Sequence, residues 1–324
     1  MEQVTATANA NIAIIKYWGK RDTKLNLPAV GSISLTLGAL KTKTTIEPNS
    51  KNKDEFYLNN ENNISDEKKV FSFIKIFREM SGNSVPLMIH SDNNFPTGAG
   101  LASSASGYAA LAVAANEFYR TGLSRKELSV IARQGSGSAA RSIFGGIVEM
   151  LAGIIPDGSD AYAEQLYDEQ YWDLRVLIVV TEEAQKDVKS RPGMEISRET
   201  SPYYRAWVEN QSVDLAQMKS ALKNKDFQKL GELAEHSCMK MHAVMLSSIP
   251  PLIYWNPVTL ELIQAVIQLR KNNIQCYYTI DAGPQVKIIT LPEYESEIRE
   301  ILNNIPGIKR IIGSKLGEGA SVIE

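Results

Sequence analysis

The stretch Asn94-Phe95-Pro96-Thr97-Gly98-Ala99-Gly100-Leu101-Ala102-Ser103-Ser104-Ala105-Ser106 sets glycines ahead of a run of serines. Behind it, Gly107 to Ala115 is a small-residue segment that reads as helix. Glycine lets a backbone fold back on itself and lets phosphate oxygens approach the amides. A helix start presents free N–H groups and the positive end of a dipole. The combination makes an anion site. Ser103, Ser104 and Ser106 add hydroxyls able to bond a phosphate or a metal-bound water. The loop is not of the Walker type, because no Gly-Lys-Ser/Thr follows. A plain loop ahead of a buried Ala-rich helix has the same composition, so the glycines alone leave both readings open.

Four other stretches carry side chains suited to an anionic substrate. Lys16-Tyr17-Trp18-Gly19-Lys20 closes an apolar run with two cations around two aromatics, which suits the edge of a cleft, or equally a solvated strand end with an aromatic anchor. Gly135-Ser136-Gly137-Ser138-Ala139-Ala140-Arg141-Ser142 lets one arginine emerge from small, hydroxyl-bearing neighbours. An arginine fork matches a carboxylate or phosphate; a turn between helices with its arginine in water has the same pattern. Ser190-Arg191-Pro192-Gly193-Met194 is a basic loop or a simple proline–glycine turn. Asp281-Ala282-Gly283-Pro284 sets an acid on a sharp turn between two strands, where it is held rigidly and faces a cleft. Asp also opens turns for local reasons alone.

The 324 residues suffice for one large or two ordinary domains, and 44% hydrophobic content gives enough apolar mass for a sizeable core. A net charge of −2 disfavours a nucleic-acid or membrane surface, which needs a basic excess. Cys238 and Cys276 make neither a disulfide framework nor a zinc pattern, and His90, His236 and His242 are scattered. No signal sequence opens the chain, and no apolar run approaches the ~20 residues of a membrane span. The expectation is a soluble, cytoplasmic enzyme or binding protein.

The elements that must position these residues follow from periodicity. Strands are expected at 4–8, 32–37, 42–47, 55–58, 85–91, 145–150, 174–181, 276–280 and 286–289, with a β-prone tail over 309–323. Val70, Phe71, Ile74, Phe77 and Met80 mark a helix ending at Gly82, a natural cap. Ser124-Arg125-Lys126-Glu127 is a capping box opening a helix through Arg133. Long amphipathic helices are expected over 202–223, 227–247 and 257–271, with a last one over 293–303. His236 and His242 read as core or surface rather than as ligands.

Pro-x-x-x-Gly-Leu-x-Ser-Ser-Ala, starting at Pro96, resembles the ATP-binding loop of the GHMP kinase superfamily. Asn-Ile-Ala-x-Ile-Lys-Tyr-Trp-Gly-Lys from Asn11, Gly-Ser-Gly-Ser-Ala-x-Arg-Ser from Gly135 with Ala140 in its variable place, Ser-Arg-x-Gly-Met from Ser190 and Asp-Ala-Gly-Pro-x-Val-Lys from Asp281 resemble, in order, the mevalonate diphosphate decarboxylases of that superfamily. The resemblance implies an α+β fold with two domains, an N-terminal phosphate-loop domain over 1–182 and a ferredoxin-like C-terminal domain over 183–324, and an active-site cleft between them. It implies ATP and Mg2+ as cofactors, mevalonate 5-diphosphate as substrate, and a homodimer. On this resemblance Asp281 sits by the substrate alcohol as general base or orienter, Lys16 stabilises charge beside it, and Arg141 holds the carboxylate. Tyr17, Trp18, Gly19, Lys20, Ser136, Gly137, Ser138, Ala139, Ala140, Ser190 and Arg191 contact substrate. Ser91, Asn93, Pro96, Gly98, Ala99, Gly100, Leu101, Ala102, Ser103, Ser104 and Ser106 contact nucleotide, with Ser106 also at the metal. A sister decarboxylase of the monophosphate, a mevalonate 3-kinase, or a non-catalytic sensor on the same scaffold shares most of these motifs. A sensor, however, has no need of the acid.

Overall fold

The computed structural model describes residues 3–97, 100–184 and 188–323. The spine is β1 (Val4–Ile15) lying antiparallel on the long, bent β4 (Ser32–Pro48), with register shifts at Asn9/Ala10 and Ala13/Ile15. Between them runs a hairpin, β2 (Lys20–Asp22) and β3 (Leu27–Pro28). The other edge of β4 pairs β7 (Leu87–Asn93) along one half and β8 (Ile147–Met150) along the other. β5 (Glu55–Leu58) runs parallel to β7 and carries β6 (Glu61–Asn62); β9 (Ala163–Tyr167) adds to β8. β14 (Ser321–Ile323) covers the outer edge of β1, completing an eight-stranded sheet.

The second sheet is antiparallel, in the order β11 (Cys276–Ile280), β12 (Val286–Thr290), β10 (Arg175–Val180), β13 (Arg310–Ser314). The strand expected to end the first domain, at 174–181, is therefore a member of this second sheet. Its unbroken apolar run has a physical cause: Val176, Ile178 and Val180 join a core with β1 and β4, while Leu177 and Val179 join the helices behind. A strand buried on both faces loses its alternation.

Helices α1 (Ile64–Ser81), α2 (Ser103–Tyr119), α3 (Arg125–Gly135) and the single turn α4 (Ala139–Ser142) accompany the first sheet. Gly82 caps α1 at φ 68°, and both halves of the Ser124–Glu127 capping box form. In α2, Ala105, Ala109, Ala110, Ala112, Ala114 and Ala115 are fully buried, so the helix axis lies close to the sheet. Helices α5 (Ser190–Thr200), α6 (Tyr204–Lys223), α7 (Phe227–Leu246), α8 (Pro257–Lys271) and α9 (Glu295–Leu302) accompany the second. The segment at 190–194, read from sequence as a loop, is the first turn of α5. Pro192 is tolerated there because first-turn amides have no intrahelical acceptor to lose. The β-prone tail splits between the two sheets as β13 and β14. The architecture is mixed α+β, as expected.

Candidate active site

β1 ends at Ile15, and Lys16 follows it with no exposed surface. Its Nζ donates to Asp281 Oδ1 at 2.6 Å. Asp281 stands on the turn between β11 and β12, its side chain 29% exposed toward the cleft. Burial alone would push its carboxyl up, but Lys16, Lys287 and Arg141 together outweigh that and hold it below the usual carboxylate range. Three side chains from α6 and α7 fix the main chain around Lys16. Ser237 Oγ accepts from the Lys16 amide at 3.0 Å, Gln211 Nε2 donates to the Lys16 and Gly31 carbonyls at 2.8 and 3.0 Å, and Trp207 Nε1 donates to the Trp18 carbonyl at 2.9 Å.

Arg141, 2% exposed, projects from α4. Its guanidinium donates to Ser32 Oγ at 2.7 Å and to Asn11 Oδ1 at 3.1 and 3.3 Å. Asn11 is itself fixed by donating to Ser142 Oγ and the Ser138 carbonyl. Burial pulls the Arg141 pKa down to about 10, opposed by Asp281 and Tyr17, so it remains a cation at neutral pH. Its hydrogen bonds go to the neutral oxygens of Ser32 and Asn11. Burial raises the Tyr17 phenol to about 12, against the pull of Arg141 and Arg191. Gly137 is required beside it: a Cβ there would lie 2.3 Å from the Tyr17 hydroxyl. Lys20 is 5% exposed, and burial, with Arg191 adding to it and Glu195 opposing, lowers its pKa to about 8.

The phosphate loop abuts the acid turn. Gly100 has φ 81°, which favours glycine, and a Cβ on it would lie only 3.0 Å from Gly283 Cα, so the two backbones are in close contact. Lys287 Nζ, from β12, donates to the Gly100 carbonyl at 3.0 Å. α2 then starts behind Ala102, at φ 59°, with no side chain capping its first amides, the arrangement that receives an anion. Ser104 and Ser136 hydroxyls are 3.2 Å apart across the cleft floor, linking this loop to the Gly135–Ser138 segment.

A cleft of about 630 Å³ is lined by most of the expected residues: Tyr17, Trp18, Lys20, Ser91, Asn93, Gly100, Ala102, Ser103, Ser104, Ser136, Gly137, Ser138, Arg141, Ser190, Arg191 and Asp281. Lys16 lies behind Asp281. Gly19, Pro96, Leu101, Ala139, Ala140 and Ser106 do not line the cleft. Ser106, expected at the metal, is fully buried under the first turn of α2, its hydroxyl 2.6 Å from Thr42 Oγ1. Gly98 and Ala99 lie outside the described residues. Among the described residues no three His, Cys, Asp or Glu side chains gather as a metal site, and no helix is long and apolar enough to cross a membrane. Sequence reasoning missed the cleft's annex of Phe56, Leu58, Lys69 and Tyr108, and the Gln211 and Ser237 supports; no local pattern marks them.

Residues 8–163 match the model of the diphosphomevalonate decarboxylase-like N-terminal domain, and 176–322 that of the mevalonate 5-diphosphate decarboxylase C-terminal domain. The diphosphomevalonate decarboxylase of Danio rerio is 41% identical over 94% of this chain and 80% of its own. The crystal structure of mevalonate diphosphate decarboxylase from Staphylococcus aureus is similar at a TM-score of 0.93 and 39% identity, covering all of this chain and 98% of that one. A structure of MDDEF in complex with MVAPP, AMPPCP and magnesium gives a TM-score of 0.92 at 38% identity, over 99% of both chains.

Proposed function

The chain belongs to the diphosphomevalonate decarboxylase family, and from that premise we propose that its cleft carries out the ATP-dependent decarboxylation of mevalonate 5-diphosphate to isopentenyl diphosphate. The observation that carries the reading is the contact between the phosphate loop, at Gly100, and the turn bearing Asp281 and its Lys16 partner. The contact sets a carboxylate beside a phosphate cradle, the place from which an acid engages a substrate hydroxyl in phosphoryl transfer.

A tertiary alcohol is a poor leaving group. Transfer of the terminal phosphoryl group of ATP to the 3-hydroxyl releases ADP and makes it a good one, the hydroxyl proton passing late in the transfer to the Asp281 carboxylate and on to water. Its departure as phosphate leaves positive character at the tertiary carbon, and the electron pair of the neighbouring C–carboxylate bond fills it, releasing carbon dioxide. Asp281 accepts a hydrogen bond from the alcohol. Its lowered pKa suits orientation better than strong general-base work, which favours a pKa near the working pH. Lys16 offsets charge on the transferring phosphoryl group. Arg141 holds the carboxylate with a planar fork. Lys20, Arg191, Ser136, Ser138 and Ser190 hold the diphosphate, and Tyr17 packs along the substrate backbone.

The amides opening α2 and the Ser103 and Ser104 hydroxyls cradle the nucleotide, with Ser91 and Asn93 beside them. Magnesium fits this donor set: it takes most of its ligands from nucleotide phosphates and water, and Ser103 and Ser104 would complete its shell. When bound, it neutralises phosphate charge. The family reading also carries a homodimeric, cytoplasmic enzyme. The reduced, buried Cys238 and Cys276 agree with such a compartment, and light scattering of the purified chain tests the dimer.

The deciding experiment offers the purified protein ATP with mevalonate 5-diphosphate or 5-phosphate and measures ADP and carbon dioxide separately. Equal release of both from the diphosphate is expected. ADP without carbon dioxide would replace the reading with a 3-kinase, and preference for the monophosphate with the sister decarboxylase.

A further inference from the structure

The hairpin β2–β3 places Lys20 at its start and turns through Asn26, which has a left-handed φ of 52° and is 1% exposed. Lys20 Nζ donates to Asn26 Oδ1 at 2.6 Å, and Asn26 Nδ2 donates to the Gln134 carbonyl at 2.6 Å. Gln134 stands at the end of α3, directly before Gly135-Ser136-Gly137-Ser138. One amide side chain therefore ties the Lys20 ammonium to the root of the hydroxyl-bearing loop across the cleft.

The turn does not depend on that amide for its course. The Leu25 amide donates to Asp22 Oδ1 at 2.7 Å, and Arg133 Nε donates to the Leu25 carbonyl at 3.3 Å. The cleft also has two distinct ends. Asp281 stands with Lys16 and with the Lys287–Gly100 contact, whereas Arg191 Nη2 donates at 3.4 Å to the Gly135 carbonyl, next to the Gln134 carbonyl that Asn26 holds. Tyr17 lies between the two groups, its ring centroid 6.0 Å from the Arg141 guanidinium and its hydroxyl against Gly137. Lys20 belongs to the end away from Asp281, the end that on the decarboxylase reading receives the far phosphate of the substrate. A neutral amide oxygen aims the ammonium without neutralising it, which a carboxylate would do. Asn is also suited to the left-handed turn position.

Building on the decarboxylase reading, we propose that Asn26 is a positioning residue that fixes the reach of Lys20 to the terminal phosphate and thereby sets selectivity for the diphosphate over the monophosphate. Asn26→Gly removes the side chain and suits the left-handed φ. It is expected to raise both KM and the calorimetric Kd for mevalonate 5-diphosphate about tenfold, the scale of one hydrogen bond to a charged group. The kcat and the KM for ATP should change by less than about threefold, and the Kd for mevalonate 5-phosphate should hold within the same range. In a Lys20→Met background, Asn26→Gly should add nothing, because its effect runs through the ammonium. Asn26→Asp, which keeps the turn and an acceptor oxygen, should weaken diphosphate binding as well, since its carboxylate competes for the ammonium. Equal losses on the two substrates, or a full further loss in the Lys20→Met background, would show a merely structural role and overturn the proposal. If the wild type releases no carbon dioxide from either substrate, the functional reading fails first. If it decarboxylates the diphosphate and Asn26→Gly leaves the Kd ratio unchanged, the positioning role alone fails.

Discussion

At the scale of single residues, Asp281 and Lys20 show opposite responses to burial. Asp281 is surrounded by cations that overcome its desolvation, so it is a carboxylate across the neutral range. Replacing it with Asn keeps the shape and removes the charge that Lys16 answers. Asp281→Asn is expected to bind ATP with near-normal affinity and to lose on the order of 10²–10⁴ in kcat; near-normal kcat would remove Asp281 from the reaction. Lys20 has the reverse problem: burial and Arg191 depress it to about 8. Below that pH the ammonium carries its charge and attracts a diphosphate. Above it the charge is lost, so affinity should fall as pH rises through about 8. A bound anion pulls the pKa back up, so complex formation just above that pH should take up protons. Calorimetry in two buffers of different ionisation heat measures this, and Lys20→Met should abolish it; binding without proton uptake would refute it. The identities of these residues are legible in the sequence through the family resemblance of the short runs that hold them; composition alone leaves a solvated strand end and a simple turn equally open. Their burial, and hence the sign of each shift, is not, because it depends on neighbours from distant parts of the chain, Lys16 and Arg141 for Asp281 and Arg191 for Lys20.

At the scale of elements, local signals were read well and tertiary ones were not. The Gly82 cap and the Ser124–Glu127 box are formed by residues within a turn of each other, so sequence contains them whole. The 190–194 segment was read as a loop because proline and glycine usually mark one, yet a helix's first turn accepts both. Strand β10 gave its existence away by its apolar run but not its sheet, since both partners, β12 and β13, come from the last third of the chain. The supports under Lys16 are the clearest case. Gln211 lies 2% exposed on α6 with its amide nitrogen shared between two carbonyls, and in sequence it is one polar residue on an amphipathic helix. Gln211→Met fills similar volume and leaves both carbonyls without that donor. It is expected to lower unfolding free energy by about 1–3 kcal/mol and to reduce kcat, because Lys16 loses its fixed main chain. Chemical denaturation together with steady-state rates checks it; unchanged stability would mean the carbonyls find other donors.

At the scale of the whole molecule, the cleft exists because two sheets share one core. Ile12, Leu35 and Leu37 of the first pack with Val176, Ile178 and Ile289 of the second, and Met218 and Leu230 of α6 and α7 close the same cluster. Polar ties cross the same joint: Thr279 Oγ1 donates to the Ala13 carbonyl at 3.2 Å and Lys287 to Gly100. The acid and the phosphate loop are thus held by opposite sides of a packed seam.

That seam has a counterpart at the sheet's far edge, where Thr5, Ala6 and Thr7 of β1 pair with Ile323, Val322 and Ser321 of β14. A ribosome makes β1 well before β14. Until β14 is made, the outer rim of β1 has its amides and carbonyls bare, a surface on which strands of other chains readily add. The first sheet reaches its final form only once β14 has been translated, so its outer edge is closed by a strand that follows the whole second sheet in the sequence.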